Sequence, residues 1–150
     1  MKQTMLRMAA VYFFAAILFC VPVNGQISLS ARNAVLIDAE SGRVLWENAC
    51  EEQVLIASTT KIMTGLLVAE ECKLSDTVEI DSAMCGVEGS SLGLREGEVL
   101  SVEALLYGMM LHSGNDAAVA LALHHSGSVG AFVAAMNRKA QELSLQNTHF

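Results

Sequence analysis

Two short β-prone runs, Asn33-Ala34-Val35-Leu36-Ile37-Asp38 and Arg43-Val44-Leu45-Trp46-Glu47, flank Ala39-Glu40-Ser41-Gly42, whose glycine supplies a turn. This pattern predicts a β-hairpin. After a polar stretch around Cys50-Glu51-Glu52-Gln53 the period becomes helical. Over 58–71, Ile62, Leu66 and Ala69 fall on one face with Met63 and Leu67 beside them, an apolar side broad enough to predict a largely buried helix. Residues 74–80 are expected to contain a short strand, whereas Gly86, Gly89, Gly93 and Gly97 mark 85–98 as an irregular connection. Ser101 is placed to cap a helix over 102–111. Ser113-Gly114-Asn115 breaks it, and Asp116 then opens another helix to about His124, as its cap rather than as a base. The helical period returns over 129–143 through Phe132, Val133, Met136 and Leu143, with Arg138 and Lys139 late in the element, where positive charge suits the helix dipole. No internal repeat or low-complexity tract is present.

Residues 1–25 obey a different pattern: Lys2 and Arg7 supply positive charge, 8–23 is an apolar run interrupted by Pro22, and Val23-Asn24-Gly25 offers modest side chains for cleavage before Gln26. These features predict a signal peptide, leaving 26–150 as one domain. An uncleaved anchor is the alternative, although about 16 apolar residues fall short of the ~20 that a spanning helix needs. Phe19 before Cys20 is too bulky for a lipidation site.

Composition changes the picture little. Of 150 residues, 53% are hydrophobic and 17% charged, with a single proline, which fits a chain that buries a core rather than a disordered tail. The mean hydropathy of +0.42 looks membrane-like, but the apolar excess lies in the leader and in alanine- and leucine-rich helical patterns. Without 1–25 the net charge moves from −7 to −9, which argues against nucleic acid as a partner. Cys50, Cys72 and Cys85 form an odd set without Cys-x-x-Cys spacing, so buried thiols or one incidental disulfide are expected and no zinc site. His124 and His125 are adjacent and point to different sides of a helix, while His112 and His149 are isolated, so no metal or cofactor is expected. Glu51-Glu52 and Glu70-Glu71 are expected to solvate the surface.

Ser58 and Lys61 stand apart from this bland background. Three residues apart at the start of an apolar helix, they share a face, and Lys61 points where burial is expected. Burial disfavours the charged form of a lysine, which lets it take a proton from a neighbouring hydroxyl. Unpaired N–H groups of a first helical turn can also stabilise negative charge beside Ser58. Ser-x-x-Lys alone is weak: a capping serine with an exposed lysine explains it equally well, and about one chance match is expected per two chains of this size. Ser113-Gly114-Asn115 adds a hydroxyl and an amide two apart on a tight loop, although an ordinary turn has the same composition. The combination, in an exported chain, is informative. With a Lys-Thr-Gly element it forms the signature of penicillin-binding proteins and class A β-lactamases.

Ala57-Ser58-Thr59-Thr60-Lys61-Ile62-Met63-Thr64 and Leu111-His112-Ser113-Gly114-Asn115-Asp116-Ala117-Ala118 resemble the first two active-site motifs of the serine-type D-alanyl-D-alanine carboxypeptidases, the low-molecular-weight penicillin-binding proteins of peptidase family S11. The resemblance extends over most of 30–150, including Ser90-Ser91-Leu92-Gly93-Leu94, and the central glycine of the second motif is closer to the carboxypeptidases than to class A β-lactamases. It implies an α/β (α+β) transpeptidase-like fold with helices packed on an antiparallel sheet. It also implies an acyl-enzyme on Ser58, with Lys61 as proton acceptor, Ser113 as proton relay and Asn115 bonding substrate backbone. The implied substrate is a peptidoglycan stem peptide ending in D-Ala-D-Ala, with β-lactams as covalent inhibitors, on the cell-wall-facing side of the membrane.

Two features depart from the family. Ile56 stands where proline is usual, and none of Lys61, Lys73 and Lys139 opens a Lys-Thr-Gly element. The chain therefore resembles an N-terminal part lacking later strands, expected to be poorly stable and inactive alone, with membrane association only through the leader or a later region. A non-catalytic penicillin-binding module and a β-lactamase-type hydrolase are the alternative functions.

Overall fold

The computed structural model describes residues 29–150, so the expected signal peptide lies outside the described residues. The chain divides between Glu52 and Gln53 into two compact units.

The first unit is the expected hairpin. Strands β1 (Ala34–Ile37) and β2 (Val44–Asn48) pair antiparallel, Leu36 opposite Trp46, with an irregularity between Leu36 and Ile37. Asp38 organises the turn: its carboxylate accepts from the Ser41 N–H and hydroxyl, and its carbonyl accepts from the Gly42 N–H at 2.8 Å. Gly42 has φ +70°, a conformation glycine adopts without steric cost. Val35, Leu36, Ile37, Val44 and Leu45 each remain about half exposed.

In the second unit, a 3-10 turn (Ala57–Thr60) leads into α1 (Lys61–Glu71). Strand β3 (Thr77–Glu79) pairs antiparallel with β4 (Val99–Ser101), joined by the glycine-containing connection that the sequence predicts. Helices α2 (Val102–His112), α3 (Asn115–Ser126) and α4 (Val129–Glu142) follow. Ser101 and Ser128 cap α2 and α4 by accepting from the Ala104 and Ala131 N–H groups, each bond stabilising its helix by about 1 kcal/mol. Helix α3 packs against α1, α2 and α4. Its Ala117, Ala120 and Leu121 are fully enclosed, joined in the core by Leu67, Val68, Ile80, Val102, Leu105 and Met109.

The α1 face differs from expectation. Met63, Thr64, Leu67 and Val68 are buried with Lys61, whereas Ile62 is 64% exposed and Ala69 is exposed. Apolar residues occupy more than half of this helix's circumference, so periodicity defines an apolar helix without choosing which part of it meets α3 and α4. The start also differs: Ser58 belongs to the 3-10 turn and the α-helix begins at Lys61. Leu143 is half exposed beyond the end of α4.

The three cysteines among the described residues are unpaired and partly buried. Glu70 and Glu71 do more than solvate the surface. The Lys139 ammonium donates to Glu70 at 2.7 Å, and His125 Nε2 lies 3.0 Å from Glu71 while its ring meets Phe132 edge-on. These contacts tie the C-terminal end of α1 to α3 and α4.

Candidate active site

The α1 entry brings the first pair together. Ala57 has φ +46°, a left-handed conformation unusual for a residue with a Cβ, and it turns the chain into the 3-10 segment. Side chains at i and i+3 eclipse in that geometry, so Ser58 Oγ and Lys61 Nζ lie 3.4 Å apart. Ser58 is exposed while Lys61 is 7% exposed. The hydroxyl faces the open side of the site and the amine sits behind it.

The second pair comes from the junction of α2 and α3. Ser113 ends α2 in a left-handed conformation, φ +56°, and Asn115 begins α3. Lys61 Nζ donates to Ser113 Oγ at 3.3 Å and to Asn115 Oδ1 at 2.6 Å, and the Ser113 hydroxyl donates to Ser58 Oγ at 2.9 Å. All four residues singled out in the sequence therefore meet at one amine. Its three hydrogens have three acceptors, and the two serines are joined to each other.

Asn115 is held within the protein at both ends of its amide. Its Oδ1 accepts from Lys61, and its Nδ2 donates to the Glu88 carbonyl at 2.6 Å. Both polar ends of the amide are thus occupied within the protein, and one Nδ2 hydrogen remains. The Asn115 N–H also donates to the Ser90 carbonyl at 2.7 Å. Gly89, between those carbonyls, has φ +92°, and a Cβ there would come within 2.7 Å of Asn115 Nδ2. Glycine is required at this close approach.

Asp116 is not the expected helix cap. The cap position of α3 is Gly114, which has no side chain to offer, and Asp116 is fully buried in the first turn. Its Oδ1 accepts from the Leu92 and Ala117 N–H groups at 3.0 and 2.9 Å, and its Oδ2 from the Ser91 hydroxyl at 2.6 Å and the Leu94 N–H at 3.1 Å. Burial pushes its pKa upward, but the four donors outweigh it and hold the carboxyl at about 2. These contacts with 88–94 leave no local signal beyond the glycines that allow that segment to turn. Among the described residues no cluster of three or more histidine, cysteine or acidic side chains is arranged to hold a metal.

A family model for D-alanyl-D-alanine carboxypeptidases matches residues 21–150. The chain is 42% identical over 132 residues to the D-alanyl-D-alanine carboxypeptidase DacF of Bacillus subtilis, covering 85% of this chain and 34% of that protein. It is 38% identical over 154 residues to DacC of Escherichia coli, covering 95% and 38%. Its fold superposes with a TM-score of 0.80, at 34% identity, on the D-alanyl-D-alanine carboxypeptidase DacD from Francisella tularensis, covering 87% of this chain and 32% of that one. The corresponding values for penicillin binding protein 5 from Haemophilus influenzae are 0.76, 34%, 83% and 39%. The expected transpeptidase-like α/β fold is therefore borne out. The chain spans about a third of the length of the curated relatives it matches.

Proposed function

This chain belongs to the D-alanyl-D-alanine carboxypeptidase family, and from that premise we propose that it carries the acylating centre of a serine carboxypeptidase acting on peptidoglycan stem peptides. The observation that carries this reading is the contact of one buried amine with two hydroxyls: Lys61 Nζ lies 3.4 Å from Ser58 Oγ and 3.3 Å from Ser113 Oγ. Residues 26–150 are part of the transpeptidase domain in this reading, and 1–25 form the leader that takes it outside the cytoplasm.

In its neutral form Lys61 donates two hydrogens, to Asn115 and Ser113, and turns its lone pair to Ser58. The Ser58 proton passes to that lone pair as Oγ attacks the carbonyl of the D-Ala-D-Ala bond. The carbonyl–nitrogen bond then breaks, and the leaving nitrogen takes its proton from Ser113, whose hydroxyl is replenished from Lys61. D-alanine departs, leaving an ester on Ser58. Water cleaves that ester and returns the serine. The remaining Nδ2 hydrogen of Asn115 is available to a substrate carbonyl. A β-lactam forms the same kind of ester through its ring carbonyl.

Covalent labelling of the complete gene product with a fluorescent penicillin tests this reading. The unmodified protein is expected to take up one label and Ser58→Ala none, with unchanged circular dichroism. Labelling that persists in Ser58→Ala would exclude Ser58 as the nucleophile.

A further inference from the structure

Asp116 is a fully buried carboxylate with no cation beside it among the described residues, so four hydrogen bonds alone offset the cost of burying its charge. Two of its four donors, Ala117 and Leu92, share Oδ1, and the other two, Ser91 and Leu94, share Oδ2. Three of the four belong to one segment 22 to 25 residues earlier in the chain. Ser90, Ser91 and Gly93 of that segment are exposed, Leu92 is partly buried, and only Leu94 reaches the core. Leu92 rests where Gly108 and Gly114 lack side chains, since a Cβ on either glycine would collide with it. The same segment presents the Glu88 carbonyl to Asn115 Nδ2 and the Ser90 carbonyl to the Asn115 N–H. Asn115 in turn holds Lys61 by the shortest bond that amine makes, 2.6 Å.

We propose that Asp116 is a positioning residue for acylation, clamping 88–94 as a strap that fixes the Asn115 amide and, through it, the Lys61 amine against Ser58. This rests on the proposed acylating function and adds to it a residue that touches neither substrate nor the reacting atoms. Its effect is geometric. With the Glu88 carbonyl in place, the amide has one orientation, Nδ2 to the carbonyl and Oδ1 to the amine. With the strap released, the amide can rotate and the amine loses its fixed direction toward Ser58. Misplacement of a reacting group by about 1 Å is enough to slow a reaction ~100-fold.

Asp116→Asn tests the clamp at nearly constant volume. Whichever way the new amide turns, its NH2 faces two donors, so one end of the clamp opens. The rate constant for acylation by a fluorescent penicillin, measured on the complete gene product, is expected to fall about tenfold or more. The label should remain on Ser58, and the loss should fall on the first-order acylation step rather than on the affinity of the initial penicillin complex. Gly89→Ala provides a second route, pressing a Cβ on Asn115 Nδ2 without touching the carboxylate, and the same slowing is expected. If Asp116→Asn fails to fold, Gly89→Ala carries the test. Val78→Ala, buried in β3 and outside the hydrogen bonds that hold the strap, controls for stability and should melt earlier while acylating at the normal rate.

An acylation rate within about twofold of normal in folded Asp116→Asn, or in Gly89→Ala, would overturn the inference, being far below the effect of misplacement. Equal slowing by Val78→Ala would also overturn it. Absence of label at Ser58 in the unmodified protein would instead overturn the function on which the inference rests, and the inference with it.

Discussion

At the residue scale, the site reduces to which groups can give and take protons. Lys61→Arg keeps a positive charge and hydrogen-bond donors but supplies a guanidinium that does not deprotonate in proteins. Penicillin acylation is expected to fall by roughly 10²–10⁴-fold, the usual contribution of a positioned general base, and Lys61→Met should lose about as much. Near-normal labelling of the arginine variant would remove Lys61 as the proton acceptor. Asp116 makes a separate prediction about acid stability. Its folded-state pKa of about 2 lies below the ordinary unfolded value of ~3.9. The stabilisation is therefore full above about pH 4 and disappears as pH falls through 2. The stability advantage of the protein over Asp116→Asn, read from urea melts, should shrink across that window. A difference that stays constant from pH 5 to ~2 would contradict it.

At the element scale, the packing of α1 is open to direct test. Met63→Ala removes a buried side chain and is expected to cost ~2–5 kcal/mol, whereas Ile62→Ala on the exposed face should change stability by no more than ~0.5 kcal/mol. Urea melts of the two variants distinguish the faces, and the reverse order would restore the face expected from periodicity. Much of the element order is legible in the sequence because its signals are local. Gly42 marks the hairpin turn, Ser101 caps α2, and the Ser113-Gly114-Asn115 break separates two helices. The α1 face is not legible because Ile62, Met63, Leu66, Leu67 and Val68 surround most of the helix, and only tertiary contact selects among them. The pairing of Ser58 with Lys61 follows from three-residue spacing, although the 3-10 geometry that aligns them does not. The link from Asp116 to Ser91, Leu92 and Leu94 is long-range, and aspartate at a helix start is locally indistinguishable from a cap.

For the whole molecule, exposed apolar surface is the main physical liability. Ile62, Leu74, Tyr107, Met110 and Leu111 are all 45–75% exposed in the helical unit, and both strands of the hairpin unit expose branched aliphatic side chains. Contiguous apolar surface of this kind favours association, and an isolated two-stranded hairpin is marginal in water. The 150-residue chain expressed alone is expected to bind a hydrophobic dye and to sediment as concentration-dependent oligomers. A monodisperse monomer without dye binding would contradict this. Such behaviour bears on the chain's stability and leaves the chemistry at Ser58 to a separate measurement. The most direct one is intact-mass and peptide mapping of the complete gene product after exposure to benzylpenicillin. The account predicts a single adduct on the peptide containing Ser58, absent from Ser58→Ala and strongly reduced in Lys61→Met. An adduct on another residue, or none under conditions where the protein is folded, would contradict it.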